Sequence, residues 1–276
     1  MLRKILLPTD FSDNAWNATV YALKLLKDEF CTFYFLNSVS IDVPMFSNLS
    51  SKLIDNMKSD AMKELLELKS LAETSDANAN HNFQIILSTE VLKDAIKKAI
   101  KEWDIDLVIM GTKGATGAKE FFFGSNTVSI TKGLKDCPIL IVPEEYDFTE
   151  PHQIAFPTDY NRFYNDSELE PLKEFVDLNN SKIRIVHINE KKELNDVQNY
   201  NLMMLQSHLN HCEYSLHWMP KYAKKAVEIN DFIEELNIDL LAMINYKHSF
   251  IENILNEPVI KKIGFHPTVP FLVIPE

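Results

Sequence analysis

The sequence predicts an α/β protein made of two doubly wound domains, each with a five-stranded parallel sheet. Three observations carry that expectation: a length of 276 residues, self-similar segments repeated in one order, and short apolar runs alternating with helical patterns. The length exceeds the usual single domain and suffices for two cores of ordinary volume. Repetition in a fixed order marks a duplicated unit. Ile5-Leu6-Leu7-Pro8-Thr9-Asp10 matches Ile154-Ala155-Phe156-Pro157-Thr158-Asp159, and Ile105-Asp106-Leu107-Val108-Ile109-Met110 matches Ile238-Asp239-Leu240-Leu241-Ala242-Met243. Cys137-Pro138-Ile139-Leu140-Ile141-Val142-Pro143 pairs with Val269-Pro270-Phe271-Leu272-Val273-Ile274-Pro275, so the offsets run 149, 133 and 132. A duplicated domain with a shorter second copy accounts for them. Residues 144–151 form an acidic, proline-closed stretch without apolar periodicity, which sets the domains at 1–146 and 152–276.

Element by element, the first copy opens with a strand over residues 4–7, followed by a helix that Ser12 caps and whose inner face carries Ala15, Ala18, Ala22 and Leu25. A second strand covers 32–36 and a long polar helix 51–73; a third strand covers 83–87. The next helix has the cleanest stripe, Leu92, Ala95, Ile96, Ala99, Ile100 and Trp103, before strands at 107–110 and 139–142. The second copy places strands at 154–156, 183–188, 214–218, 240–244 and 271–274, with a helix near 221–236. These strands are short runs of β-branched or aromatic residues. Strand-helix alternation implies a parallel sheet covered on both faces, because parallel neighbours need crossover connections.

Composition narrows the function classes. With 46% hydrophobic and 25% charged residues the chain is globular, without an apolar run long enough to span a bilayer. The amino terminus has too short an apolar stretch for a secretory signal. Cys31, Cys137 and Cys212 are scattered and odd in number, as expected of buried thiols in a reducing compartment, and the cytoplasm is the expected location. A formal charge of −12 disfavours nucleic acid and anionic membranes as partners. It leaves room for a nucleotide, whose phosphates backbone N–H groups at a helix start can hold.

Glycine locates the candidate site. Average usage would give roughly nineteen glycines; only six occur, and Gly111, Gly114, Gly117, Gly124 and Gly133 lie within 23 residues. Ligands of doubly wound sheets sit outside the carboxyl ends of the strands where strand order reverses. Two loops fall there. Pro8-Thr9-Asp10 supplies a carboxylate able to accept hydrogen bonds from ribose hydroxyls or an adenine amine, and Gly111-Thr112-Lys113-Gly114 leads to Gly124-Ser125-Asn126 before a helix. Gly-x-x-Gly, nine residues, then Gly-Ser resembles the ATP-binding pattern of universal stress proteins. Pro8-Thr9-Asp10-Phe11-Ser12 and Asp106-Leu107-Val108-Ile109-Met110-Gly111 resemble that family's first loop and fourth strand. The resemblance covers nearly the whole chain, twice, and implies a Rossmann-like fold. It implies that Gly111 and Gly114 let the main chain approach phosphates, that Gly124, Ser125 and Asn126 donate hydrogen bonds at a helix start, and that Asp10 holds the nucleoside end. It further implies that Pro8, Thr9 and Met110 flank the nucleotide, that backbone near Ser38 reads adenine, and that Mg²⁺ accompanies the triphosphate. Glycines that only shape a turn, and an Asp10 that only caps one, are the bland alternatives. No Gly-Lys-Ser/Thr or Gly-x-Gly-x-x-Gly motif supports other phosphate chemistry.

The second copy loses this pattern. Ile244 falls where Gly111 stands, Lys247 or His248 near Gly114, Asn256 at Gly124 and Glu257 at Ser125; Asp159 survives, but a carboxylate without its phosphate loop does not make a nucleotide site, and the second copy is expected to serve as a packing partner. His208, His211, Cys212 and His217 lack metal-site spacing, and Phe121-Phe122-Phe123 reads as packing. The expected function is an ATP-binding stress-response module with one nucleotide per chain, an unidentified protein partner and at most weak ATP hydrolysis, because no general base is placed beside the phosphates. Self-association through terminal strands or intramolecular domain pairing is left open. The alternatives are a scaffold without nucleotide that exposes residues 41–73, and, last, a nucleotidyl-transfer enzyme.

Overall fold

The computed structural model describes residues 2–40, 51–112, 125–223, 225–246 and 268–276. The chain divides into two compact units, Met1–Asp147 and Phe148–Glu276. In the first, strands β1 (Arg3–Pro8), β2 (Cys31–Ser38), β3 (His81–Ser88), β4 (Leu107–Gly111) and β5 (Ile139–Val142) alternate with helices α1 (Asp13–Leu25), α2 (Ser51–Asp76), α3 (Leu92–Trp103) and α4 (Ser125–Gly133). Its strands lie in the order β3-β2-β1-β4-β5, parallel throughout. The order reverses between β1 and β4, which opens a crevice at their carboxyl ends.

Burial explains each element. Ile5, Leu6 and Leu7 of β1 are at most 2% exposed, the continuous apolar run of a strand covered on both faces. Ser12 caps α1 by accepting from the Ala15 amide at 3.3 Å, and Ala15, Ala18, Ala22 and Leu25 turn to the core. On α3 the stripe Ala95, Ile96, Ala99 and Ile100 is buried, whereas Trp103, expected to share it, is 44% exposed and lies against Tyr34 with ring centroids 5.3 Å apart.

The second unit contains β6 (Gln153–Pro157), α5 (Asp166–Asn179), β7 (Lys182–Asn189), α6 (Asp196–His208), β8 (Tyr214–Pro220), α7 (Lys225–Glu235), β9 (Leu240–Asn245) and β10 (Phe271–Pro275). Its order, β8-β7-β6-β9-β10, is that of the first unit with equivalent strands in equivalent places. Asn165 and Asn195 begin α5 and α6 with reciprocal capping boxes to Glu168 and Gln198. The repeated Ile-Asp-Leu segments have one mechanical role. Asp106 Oδ2 accepts from the Lys4 amide at 2.7 Å, and Asp239 Oδ2 accepts from the Gln153 amide at 2.8 Å, each tying the start of a first strand to the start of a fourth.

The three cysteines are free and buried, and burial pushes the Cys31 and Cys137 thiols up to about 12, which leaves them unreactive. On β8, burial and then the Arg184 guanidinium hold His217 below its ordinary value of 6.5. Its Nε2 lies 2.7 Å from Ser215 Oγ, to which Arg184 Nη1 donates at 2.8 Å. Below pH 6.5 the unfolded chain therefore binds the proton that the folded one resists, so stability falls as pH drops through that window and is complete above it. Urea midpoints of wild type and His217→Gln are expected to run parallel above pH 7 and to converge or cross below 6.5; an unchanged difference would remove this group from the acid side of the profile.

Candidate functional site

The first unit's crevice lies between the turn after β1 and the end of β4. After β1, the Thr9 amide donates to Leu36 O at 2.8 Å, extending the ladder by one bond, and Asn37 Nδ2 donates to Thr9 O at 2.9 Å. Thr9 Oγ1 accepts from the Phe11 amide at 3.0 Å. Asp10 Oδ1 accepts from the Ser12 amide and hydroxyl at 3.2 and 2.6 Å. These bonds hold Phe11 in the left-handed region, at φ 64°, and leave Pro8 and Thr9 buried with Asp10 exposed at the mouth. The Asp10 carboxylate thus shapes the turn that presents it.

Across the reversal, β4 ends at Gly111, where a Cβ would lie 2.7 Å from Asn14 Nδ2 and 2.8 Å from Asn14 Cγ. The first turn of α1 packs onto the end of β4 closely enough to require glycine there. Helix α4 is tied to the same place, since Thr127 Oγ1 lies 3.3 Å from Gly111 O and 3.1 Å from Thr112 O, and Thr131 Oγ1 donates to Thr127 O at 2.7 Å. The amino end of α4, Ser125-Asn126, therefore stands beside the carboxyl end of β4. The first amides of a helix have no intrahelical acceptor and carry the positive end of its dipole, so this end suits an anion.

Among the sequence-predicted residues, Pro8, Thr9, Asp10, Met110, Gly111, Ser125 and Asn126 fall at these strand and helix ends, while Gly114 and Gly124 lie outside the described residues, as do Lys113, Gly117 and the run at Phe121. Ser38 closes β2, and its hydroxyl donates to Glu90 O at 2.5 Å, so only its main chain is left for a ligand. Asn14 and Thr127 were missed by sequence reasoning. A hydroxyl two positions after Ser125 was the available clue for Thr127; nothing in the sequence marks Asn14, whose role depends on how α1 meets β4.

Among the described residues no three His, Cys, Asp or Glu gather into a metal site. His208 is the last residue of α6 and His211 lies in the turn beyond it, so the two do not share a helix. His208 Nδ1 instead sits 3.2 Å from Asp166 Oδ1.

The family described as Universal stress protein family matches residues 1–143. A universal stress protein of Methanocaldococcus jannaschii is 27% identical over 151 residues, 51% of this chain and 82% of its own length. One of Bacillus subtilis is 26% identical over 148 residues, 51% of this chain and 99% of its own. The crystal structure of a universal stress protein from Archaeoglobus fulgidus superimposes with a TM-score of 0.69, covering 99% of this chain and 96% of that one at 17% identity, a likeness of fold.

Proposed function

With the match at residues 1–143 covering more than half of its length, the chain belongs to the universal stress protein family, and from that premise we propose that its first domain binds ATP. The observation that carries the reading is the amino end of α4, held by Thr127 against Gly111 O and Thr112 O, facing the same crevice mouth as the Pro8-Thr9-Asp10 turn. The triphosphate would lie on amides of Gly111, Gly114, Gly124, Ser125 and Asn126, with its Mg²⁺ held through phosphate oxygens. Asp10 would take nucleoside hydroxyls, with Pro8, Thr9, Met110 and the main chain at Ser38 flanking the base and sugar. Nucleotide occupancy would then govern contact with a protein partner in the cytoplasm, with hydrolysis slow or absent. Pairing through last strands, within a chain or between chains, belongs to the same proposal. Among the described residues no helix is long and apolar enough to cross a membrane.

A scaffold without nucleotide is the second reading, and two observations favour it: Asn14 accounts for Gly111 by packing, and Ser12 engages Asp10 locally. Calorimetric titration with ATP and Mg²⁺ separates the two. One ATP per chain is expected, weakened at least tenfold, about 1.4 kcal/mol, by Gly124→Val. No heat from folded wild type, or equal affinity in the variant, would leave the scaffold; two sites per chain would refute the asymmetry between the domains.

A further inference from the structure

A polar row on β7 and β8 joins Arg184, Ser215 and His217, and we propose that Ser215 is an activated nucleophile that takes acyl groups from small activated esters. Strand geometry builds the row. Arg184 and Ser215 are register partners, and residues two apart on a strand share a face, so His217 stands beside Ser215 on one side of the sheet. Gln153 of β6 shares that face with Ala155, the register partner of Arg184, and its Oε1 accepts from Arg184 Nε at 2.7 Å. The Gln153 amide is itself held by Asp239, so the guanidinium is anchored before it reaches the serine.

The direction of each proton follows from what these groups can do. A guanidinium only donates, so Arg184 Nη1 takes up a lone pair of Ser215 Oγ at 2.8 Å. The serine's own hydrogen is left for His217 Nε2 at 2.7 Å, which assigns a neutral imidazole with Nε2 as acceptor. The depression of His217 by burial and by Arg184 keeps it in that form at neutral pH. Its other neighbours are apolar: the Phe232 ring of α7, with centroids 5.4 Å apart, and its register partner Val186 on β7.

Nucleophile, base and fixed cation therefore stand in one row. When Ser215 Oγ attacks an ester carbonyl, the O–C bond forms as the hydroxyl proton passes to Nε2. Arg184, with five N–H groups of which two serve Gln153 and Ser215 in these bonds, stabilises the oxyanion. Collapse expels the leaving alkoxide, which recovers the proton from Nε2 and leaves an acylated serine; water releases the acid by the same path.

The fold does not demand these residues. Pro8 pairs with Leu36 as Pro157 pairs with Val186, so Arg184 corresponds to Tyr34, and the next registers match Ser215 to Gln84 and His217 to Ile86. In the first unit Tyr34 simply packs on Trp103. The row lies on β8, which ends the strand order, and Arg184, Ser215 and His217 are each partly exposed, so a solute can reach Oγ from the sheet edge.

A fluorophosphonate tests the nucleophile without turnover, since the Oγ–P bond forms as P–F breaks and the proton leaves through His217. Peptide-mapped mass spectrometry of the full chain is expected to find the adduct on Ser215, forming at least tenfold faster than on any other serine. Ser215→Ala is expected to abolish it and His217→Gln to slow it about a hundredfold or more. The wild-type rate is expected to be level above pH 7 and to fall below 6.5 as Nε2 takes up a proton. Imidazole in the buffer is expected to restore labelling to His217→Ala, a rescue that a structural role would not give. p-Nitrophenyl acetate is expected to release nitrophenolate at a rate that Ser215→Ala removes. Circular dichroism checks that each variant is folded. A folded wild type unlabelled at Ser215, labelling that His217→Gln leaves unchanged, a rate indifferent to pH across 6.5, or no Ser215-dependent nitrophenolate would overturn the proposal.

Discussion

Gly111→Ala is expected to destabilise the first domain by about 1–3 kcal/mol, the usual cost of forcing atoms into a packed interior, and to weaken ATP at least tenfold. The new Cβ would stand 2.7 Å from Asn14 Nδ2 and 2.8 Å from Asn14 Cγ, inside any ordinary contact, and Asn14 is only 8% exposed. Either α1 moves off β4 or the Asn14 side chain leaves its place. Both disturb the end of β4, whose carbonyl receives Thr127 and so sets the start of α4. The double variant Gly111→Ala/Asn14→Ala removes the overlap and is expected to recover most of the lost stability, a coupling of about 1 kcal/mol or more in a double-mutant cycle of urea unfolding. ATP affinity is expected to recover with it, because the obstructing atom points at α1. Affinity still lost in a stable double variant would assign Gly111 to close phosphate approach instead, and additive effects would sink the packing account.

The packing of Asn14 on Gly111 shows why the site was only partly legible. Strand positions were readable because these strands are buried on both faces and stand out as apolar runs: residues 4–7, 32–36 and 139–142 were expected, and Arg3–Pro8, Cys31–Ser38 and Ile139–Val142 form. The Pro-Thr-Asp turn was readable because its hydrogen bonds close within four residues. Helix α6 was not. Its apolar Val197, Tyr200 and Met203 are 61%, 55% and 57% exposed, while Gln198, Asn201 and Leu205 are buried, so periodicity would have pointed to the wrong face. Gln198 and Asn201 are inside because they donate to the Asp159 and Tyr160 carbonyls of the turn after β6, partners 39 and 41 residues away that no local pattern reveals. Helix α7 starts at Lys225 rather than near 221 because the Tyr222 and Ala223 amides turn back onto Glu228 Oε1 at 2.9 and 2.6 Å.

The largest loss of stability is expected from Phe33→Ala. Phe33 is fully buried on β2, stacks on its cross-strand partner Phe83 with centroids 5.6 Å apart, and meets the His81 ring edge-on at 4.9 Å. Truncation removes the central ring of that cluster and leaves a cavity between two strands that hydrogen bonds hold at fixed spacing, so collapse is limited and about 3–5 kcal/mol is lost. Against a typical domain stability of about 5–15 kcal/mol that is close to unfolding the first domain. Phe33→Leu keeps most of the volume and is expected to cost under about 1.5 kcal/mol. The damaged variant also gives a sensitive assay for the ligand: ATP at a hundred times its dissociation constant adds about 2.7 kcal/mol to whichever domain holds it. The thermal midpoint of Phe33→Ala is therefore expected to rise steeply with ATP. A midpoint that ATP leaves unmoved, in a variant that still folds at low temperature, would count against a nucleotide in the first domain.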